Sequence, residues 1–432
     1  MAPLPPDALL ALLDDALAET PPGRCVWVAL SGGLDSSLLL TLAARACQLR
    51  GRSLRALHVH HGLQPAAADF EAHCTALCQR LGVPLSVARV SVEPQGEGIE
   101  GAARRARYQA FFEYLAPGDT LWLGQHQDDQ AETWLLAALR GSGIRGLAGM
   151  PRRREWQGRV LLRPWLSVRR DQLREAARHE GLAWCEDPTN QDTYYDRNYL
   201  RHAVLPVLGQ RWPGAAQALA RSAAWAGEAD GLLASYAAEE LAGLALSPGC
   251  IDAHALAALP LPRQRLLVRT LCQQHGLPTP PQARLASLLD QLRAAAQARV
   301  HITWPGAEAR VWRGGLYVMA PQAPLDGWQA AWDGRAGLAT PLGTLALALD
   351  VESAQCVGRA SFMLRGRQGG EALVLPGRGR RDLKRWLQEQ SIPPWERQRL
   401  LLVMEGECCL AILQPPARVL WQAAGVAVRY PD

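Results

Sequence analysis

Residues 26–46 read VWVALSGGLDSSLLLTLAARA, an apolar run that passes through a serine- and glycine-rich turn into a stretch of helical composition. A helix start exposes unpaired backbone N–H groups and the positive end of the helix dipole, so a glycine-rich turn placed there is an anion cradle. Gly32 and Gly33 let the backbone approach a phosphate closely, and the hydroxyls of Ser31, Ser36 and Ser37 can donate to its oxygens. Asp35 can order the turn or help hold a magnesium ion. A reading without any ligand also fits: Asp35 or Ser36 caps the helix after a glycine turn. The turn has no G-K-[ST] lysine and is not a G-x-G-x-x-G fingerprint, so it is neither a Walker loop nor a dinucleotide loop.

Working outward, β-type runs at 25–30, 54–60, 85–92 and 120–124 alternate with helix-like stretches at 36–50, 67–81, 99–116 and 128–140. This alternation predicts a parallel sheet with helices on both faces, which binds ligands beyond the carboxyl ends of its strands. The segments that must then converge are SGGLDSS after the first strand, HGLQP after the second and GQHQDDQAET after the fourth. All three are polar. A helix follows at 167–181, then an irregular polar stretch, WCEDPTNQDTYYDRNYLRHAVLP. Residues 213–298 are rich in alanine and leucine and read as largely helical. From Val300 short β-type runs take over, and a compact α/β module is expected after Ser353.

With 432 residues, two or three domains are expected. The net charge of +5 permits a polyanionic partner without demanding one, and a single lysine, Lys384, leaves nearly all positive charge to arginine. The ten cysteines are irregularly spaced with no C-x-x-C, which reads as reduced thiols in the cytoplasm. The first twenty residues carry Asp7, Asp14, Asp15 and Glu19 and do not read as a signal peptide, and no run approaches a membrane span.

S-G-G-x-D-S after a first strand resembles the pyrophosphate loop of the PP-loop ATP pyrophosphatases. Six further segments resemble one branch of that superfamily, the tRNA(Ile)-lysidine synthetases. LHVHHGLQP matches at His58, His61, Gly62 and Leu63, and GIEGAARRARY matches at Ala103, Arg104, Arg107 and Tyr108. GQHQDDQAETWLLAALRGSG carries D-D-x-x-E-T and R-G-x-G, with Gln125-His126 where relatives often show a histidine pair. RPWL, EDPTN and DRNYLR match through Arg163, Pro164, Glu186, Asp187, Asn190, Arg197, Asn198 and Arg201. On residue spacing alone, Asp129 and Glu132 lie one helical turn apart, so their carboxylates can meet on one cation; early acids also simply favour the dipole. Arg104 and Arg107 share a helix face and can grip a phosphate or line an exposed basic surface.

Near the C-terminus Arg365, Arg367, Arg378, Arg380, Arg381, Lys384 and Arg385 cluster, with Trp386 and Trp395 close by. That composition suits an RNA backbone with bases available to stack. The resemblance extends to this terminal module.

The resemblance implies an α/β protein: a Rossmann-like PP-loop catalytic domain at 1–208, a mostly helical tRNA-binding domain at 209–335 and a small α/β tRNA-recognition domain at 336–432. It implies a ligase that uses ATP and Mg²⁺ to join L-lysine to the wobble cytidine of tRNA(Ile) with a CAU anticodon, in the cytoplasm, and leaves room for a homodimer. Asp35, Arg104, Asp129 and Glu132 are the implied catalytic residues. Ser31, Gly32, Gly33, Leu34, Asp35, Ser36, Ser37 and His58 would hold ATP, and Asp129 with Glu132 the lysine ammonium. Arg197, Arg201, Arg378, Arg380, Arg381, Lys384 and Arg385 would meet tRNA, and no protein-held metal cluster is expected. Two other readings stand beside it. A tRNA thiolase would need sulfur-handling cysteines, which neither Cys74 and Cys78 nor Cys408 and Cys409 resemble; a non-catalytic ATP-binding RNA module would not need Asp35, Asp129 and Glu132.

Overall fold

The computed structural model describes residues 6–62, 67–93, 98–247, 249–294, 300–323, 325, 327–335, 337–351, 362–375, 379–415 and 417–429. Leu63 and Arg378 lie outside them. The chain forms two compact units, residues 1–235 and 236–432.

In the first unit the elements run α1 (Pro6–Ala18), β1 (Val26–Ala29), α2 (Leu34–Leu49), β2 (Leu54–His60), α3 (Ala67–Leu81), β3 (Leu85–Arg89), α4 (Gly98–Tyr114), β4 (Thr120–Trp122) and α5 (Gln127–Leu139). Then come α6 (Ile144–Leu147), β5 (Arg153–Trp156), β6 (Arg159–Leu162), α7 (Arg170–His179) and α8 (Asp196–Tyr199). The sheet order is β3-β2-β1-β4-β6-β5. All pairings are parallel except the β5–β6 hairpin. That hairpin was not read from the sequence: RREW and RVLL are too short and too arginine-rich for an alternation to stand out.

The strands alternate their side chains between two cores, as a sheet covered on both faces requires. Val26, Val28 and Trp122 pack with α1, α2, α3 and α7 through Leu9, Leu13, Leu38, Leu42, Leu77 and Leu173. Trp27, Leu121 and Leu161 face the other way, onto Ala110, Phe111 and Leu115 of α4. Because β2 and β4 flank β1 on opposite sides, the chain reverses its winding there, and the crevice beyond the carboxyl ends of β1 and β4 is the switch point where such sheets bind ligands.

The second unit begins within the helix Ala215–Leu244. Its helices at 253–258, 261–274 and 282–294 pack on a five-stranded antiparallel sheet of segments 245–247, 250–252, 301–304, 307–312 and 315–319. Residues 253–294 of this region are largely helical, and it also carries two short strands, ALS and CID, that its alanine bias concealed. Another five-stranded sheet (329–332, 362–366, 401–405, 408–414, 418–422) and the helix Leu383–Glu389 make up the terminal module.

Trp395 sits inside this unit, 6% exposed. Tyr317 meets it edge-on at 5.2 Å, Trp312 at 6.4 Å, and the Arg310 guanidinium lies 5.4 Å from its ring. Trp386 is likewise buried against Leu373, Leu387 and Leu400. The expectation that these two tryptophans offer faces to RNA bases is thus overturned: an indole this large gains more from burial than an exposed basic hairpin can compensate. Trp395→Ala should cost the second unit roughly 3–5 kcal/mol, read as a lowered denaturation midpoint in chemical unfolding.

Candidate functional site

The turn after β1 is built by glycine and held by its own hydroxyls. Gly32 has φ +87°, and a Cβ there would lie 3.1 Å from Phe70 Cδ1 and 3.3 Å from Cys74 Sγ. Ser36 Oγ donates to the Gly33 carbonyl (3.1 Å) and accepts from the Ser31 amide (3.1 Å), so Ser31 Oγ is the donor in their 3.0 Å hydroxyl contact. Both hydroxyls are spent on shaping the turn. Neither Asp35 nor Ser36 caps α2; Gly33 stands at the N-cap with no side chain to offer. The amides of the first turn are therefore left for an external acceptor, and the cap reading without a ligand falls.

Beneath the turn, His58 is 4% exposed and its Nδ1 hydrogen-bonds the Leu30 carbonyl at 2.9 Å. Burial pulls its pKa below the ordinary value. It braces the loop from below through this bond. Cys185 joins the EDPTN segment to the loop by donating its amide to the Gly32 carbonyl at 3.0 Å.

Across the crevice, β4 ends in Gly124. A Cβ there would sit 3.1 Å from the Asp35 carbonyl carbon and 3.3 Å from the Ser36 amide, so only glycine lets the two loops close up. His126 then caps α5 reciprocally with Asp129: Asp129 N donates to Nδ1 (3.4 Å) and His126 N donates to Oδ2 (3.0 Å). His126 Nε2 faces Asp35 Oδ2 at 3.7 Å and Asp129 Oδ2 at 3.5 Å. Asp128 Oδ2 accepts from the Arg170 amide at 2.9 Å and lies 3.7 Å from His126 Nδ1.

Glu132 is wholly buried. Arg197 Nε donates to its Oε2 at 2.8 Å, Arg201 Nε to its Oε1 at 2.6 Å, and Arg201 Nη2 also reaches Asp129 Oδ1 at 3.1 Å. Arg197 lies in α8 and Arg201 in the π-helical turn Leu200–Val204 that follows, so both side chains project inward. The sequence placed these arginines toward tRNA; the structure turns them onto the carboxylates, since a buried charge without a partner is far too costly. For Asp129, burial acts to raise the pKa, but His126, Arg197 and Arg201 outweigh it and hold it below the usual carboxylate range. Asp35 behaves oppositely: burial raises its pKa against the pull of His126, and Asp129 adds to the rise. Its Oδ1 is buried with no hydrogen-bond partner.

A second arginine group lines the same edge. Arg163, just past β6, donates to the Gln125 side chain and, through Nη1, to the Pro151 carbonyl (2.7 Å). Arg104 lies 5.0 Å from the Tyr108 ring and is exposed. Gln125 thus supplies an acceptor where relatives often carry histidine. Gly124, Gln125, His126 and Arg163 were not singled out as site residues from the sequence; a glycine at the end of the fourth strand, by the logic applied to Gly32, was the available signal. In the second unit Arg365 and Arg367 are held by buried Glu371, whereas Arg380, Arg381, Lys384 and Arg385 are exposed on the hairpin Ala372–Asp382 and the helix after it. Among the described residues no group of His, Cys, Asp and Glu is arranged to hold a metal cluster.

Against known proteins, residues 9–208 match the PP-loop domain family, 252–317 the TilS substrate binding domain and 362–427 the TilS substrate C-terminal domain. The tRNA(Ile)-lysidine synthase of Xanthomonas axonopodis pv. citri (strain 306) is 43% identical over 400 residues, covering 91% of this chain and 90% of that protein. The chain belongs to the tRNA(Ile)-lysidine synthase family. The synthase of Pseudomonas putida is 45% identical over 414 residues, covering 91% and 93%. Among solved structures, the U34-tRNA thiolase NcsA from Methanococcus maripaludis is similar over 50% of this chain and 78% of that chain, at 16% identity and a TM-score of 0.40. Membership of the synthase family replaces the thiolase reading. No helix among the described residues is long and apolar enough to cross a membrane.

Two predictions follow from these electrostatics. Asp35 carries a raised pKa in the folded state, so its charge destabilises the fold at neutral pH; Asp35→Asn should raise Tm while weakening binding of ATP, measured by calorimetry. The pKa values of His58, His61 and His73 are all lowered by burial. The unfolded chain, with histidines near 6.5, therefore binds more protons, and stability falls as pH drops below about 6.5 until the folded-state values are passed. Denaturation midpoints at pH 8 and pH 5.5 should show this loss, and His58→Gln should reduce it.

Proposed function

We propose that this chain joins L-lysine to C2 of the wobble cytidine of a tRNA(Ile) with a CAU anticodon, at the expense of ATP. The observation that carries this reading is the pairing, at one switch point, of an uncapped helix N-terminus with the buried acidic and arginine cluster of α5 and α8. The first draws polyphosphate. The second offers both signs of charge to an amino acid.

The C2 oxygen of cytosine is a poor leaving group and must be activated. It attacks the α-phosphorus of ATP; pyrophosphate departs and would be received by the amides of Gly32 and the first turn of α2. The ε-amine of lysine, after losing a proton, attacks C2, and AMP leaves with the former C2 oxygen. Asp35 fits the Mg²⁺ that accompanies ATP, because its Oδ1 is buried and unpartnered; the ion would offset phosphate charge. Arg104 and Arg163 are proposed to offset the charge of the adenylate.

Asp129 and Glu132 are proposed for the lysine ammonium, which would take the place of an arginine contact; the displaced guanidinium then suits the lysine carboxylate. Because the anticodon loop is single-stranded, the base enters without breaking a pair. The exposed Arg380, Arg381, Lys384 and Arg385 are proposed to meet the tRNA backbone. The division at 1–208, 209–335 and 336–432 into catalytic, tRNA-binding and tRNA-recognition segments, a cytoplasmic location and a dimer belong to the same proposal.

The test is AMP and pyrophosphate release from ATP by the purified full chain with unmodified tRNA, with and without lysine, followed by nucleoside mass analysis. Turnover should depend on lysine and leave lysine on the wobble cytidine, and Asp129→Asn should raise the KM for lysine about tenfold or more. Release of AMP without lysine incorporation would overturn the assignment of the nucleophile.

A further inference from the structure

The segment that carries Arg197 and Arg201 also displays tyrosines that the reaction above does not use. Tyr194 is 88% exposed, Tyr199 53% and Tyr195 38%. Folding gains nothing from leaving a phenol ring almost entirely in water, so a ring held there by a built turn needs another reason.

The turn is built. Tyr194 N donates to Asp192 Oδ1 at 3.0 Å, and Asn198 Nδ2 donates to the carbonyls of Thr189 (2.8 Å) and Asp192 (2.9 Å). His202 Nε2 pairs with the Asn190 carbonyl at 2.8 Å, and Asp187 accepts from both the amide and the hydroxyl of Thr189. These bonds brace the turn, and Tyr194 and Tyr195 stand exposed on it. The two rings meet edge to face, 5.8 Å apart at 84°, which leaves the Tyr194 faces open.

Position supplies the occupant. The segment is tied to the site at both ends, by the Cys185 amide on the Gly32 carbonyl and by Arg197 on Glu132, and even at full extension the Tyr194 Cα lies within about 10 Å of the Arg197 Cα. Arg140 reaches Asp196 of α8 at 3.5 Å, so that charge is paired, and the cations beside the ring are the arginines of the site itself, Arg197 and Arg201. An open aromatic face beside arginines is the arrangement that holds unpaired bases.

We infer that Tyr194, steadied by Tyr195, is a stacking platform for an unpaired nucleotide adjoining the cytidine that enters the site. The inference rests on the tRNA reading above and names a positioning residue for it. The ring fixes the neighbouring base, and with it the depth to which the reacting base reaches.

The test compares the full-length protein with Tyr194→Ala, Tyr194→Phe and Tyr194→Ala/Tyr195→Ala. Equilibrium binding of unmodified tRNA(Ile) is measured by filter retention, together with KM for tRNA, KM for ATP and thermal melting. Tyr194→Ala should weaken tRNA binding and raise its KM about tenfold, within the range that loss of one base–aromatic stack produces. Tyr194→Phe should restore both, and the ATP KM and melting temperature should stay at wild-type values. Unchanged tRNA binding in the double variant, or a Phe variant as weak as Ala, overturns the platform. Wild-type protein that binds the tRNA without modifying it would refute the proposed chemistry while leaving the platform to be judged by binding; wild-type protein that binds no tRNA refutes both.

Discussion

Glu132 is the point on which the catalytic edge depends. A carboxylate with no solvent exposure survives as an ion only with opposite charges in good geometry, and its two partners lie 65 and 69 residues further along the chain. The ion cluster therefore does two things at once. It pins the segment from Asp187 to Val204 against α5, and it fixes the face on which Asp129 meets His126. The loop, the acidic helix and the tyrosine turn are one assembly because that single buried charge has to be satisfied.

Around it, the two helix starts are finished in opposite ways. α5 closes its own N-terminus through the His126–Asp129 pair, so its dipole is spent internally. α2 does not: glycine at its cap and hydroxyls turned into the loop leave its amides available. Asp35, half-buried between them with one oxygen unpaired, holds a charge that the fold alone would not choose. Strain of this kind is common at functional sites, where a ligand completes what the protein leaves open.

The second unit uses its charges and its aromatics for different ends. Glu371 holds Arg365 and Arg367, and Trp386 and Trp395 fill cores, so the cluster that looked uniform in sequence divides into structural and exposed halves. Exposed aromatic surface fit for bases lies in the first unit, at Tyr194, where the polar irregular stretch gave no periodicity to mark it.

The sequence by itself determined the order of strands and helices through β4, because a sheet buried on both faces leaves apolar runs of strand length between helices. It also determined that SGGLDSS and GQHQDDQAET would share an edge, since parallel strands put all their carboxyl ends together. Only the tertiary structure decided which way each side chain of that edge turns. Arg197 and Arg201 look like free cations in a polar stretch until the burial of Glu132 claims them. His58 shows no link to the loop until the Leu30 carbonyl meets its Nδ1. Gly124 has no visible role until α2 packs against it. Such outcomes depend on desolvation and on partners distant in the chain, and neither quantity is written in local residue order.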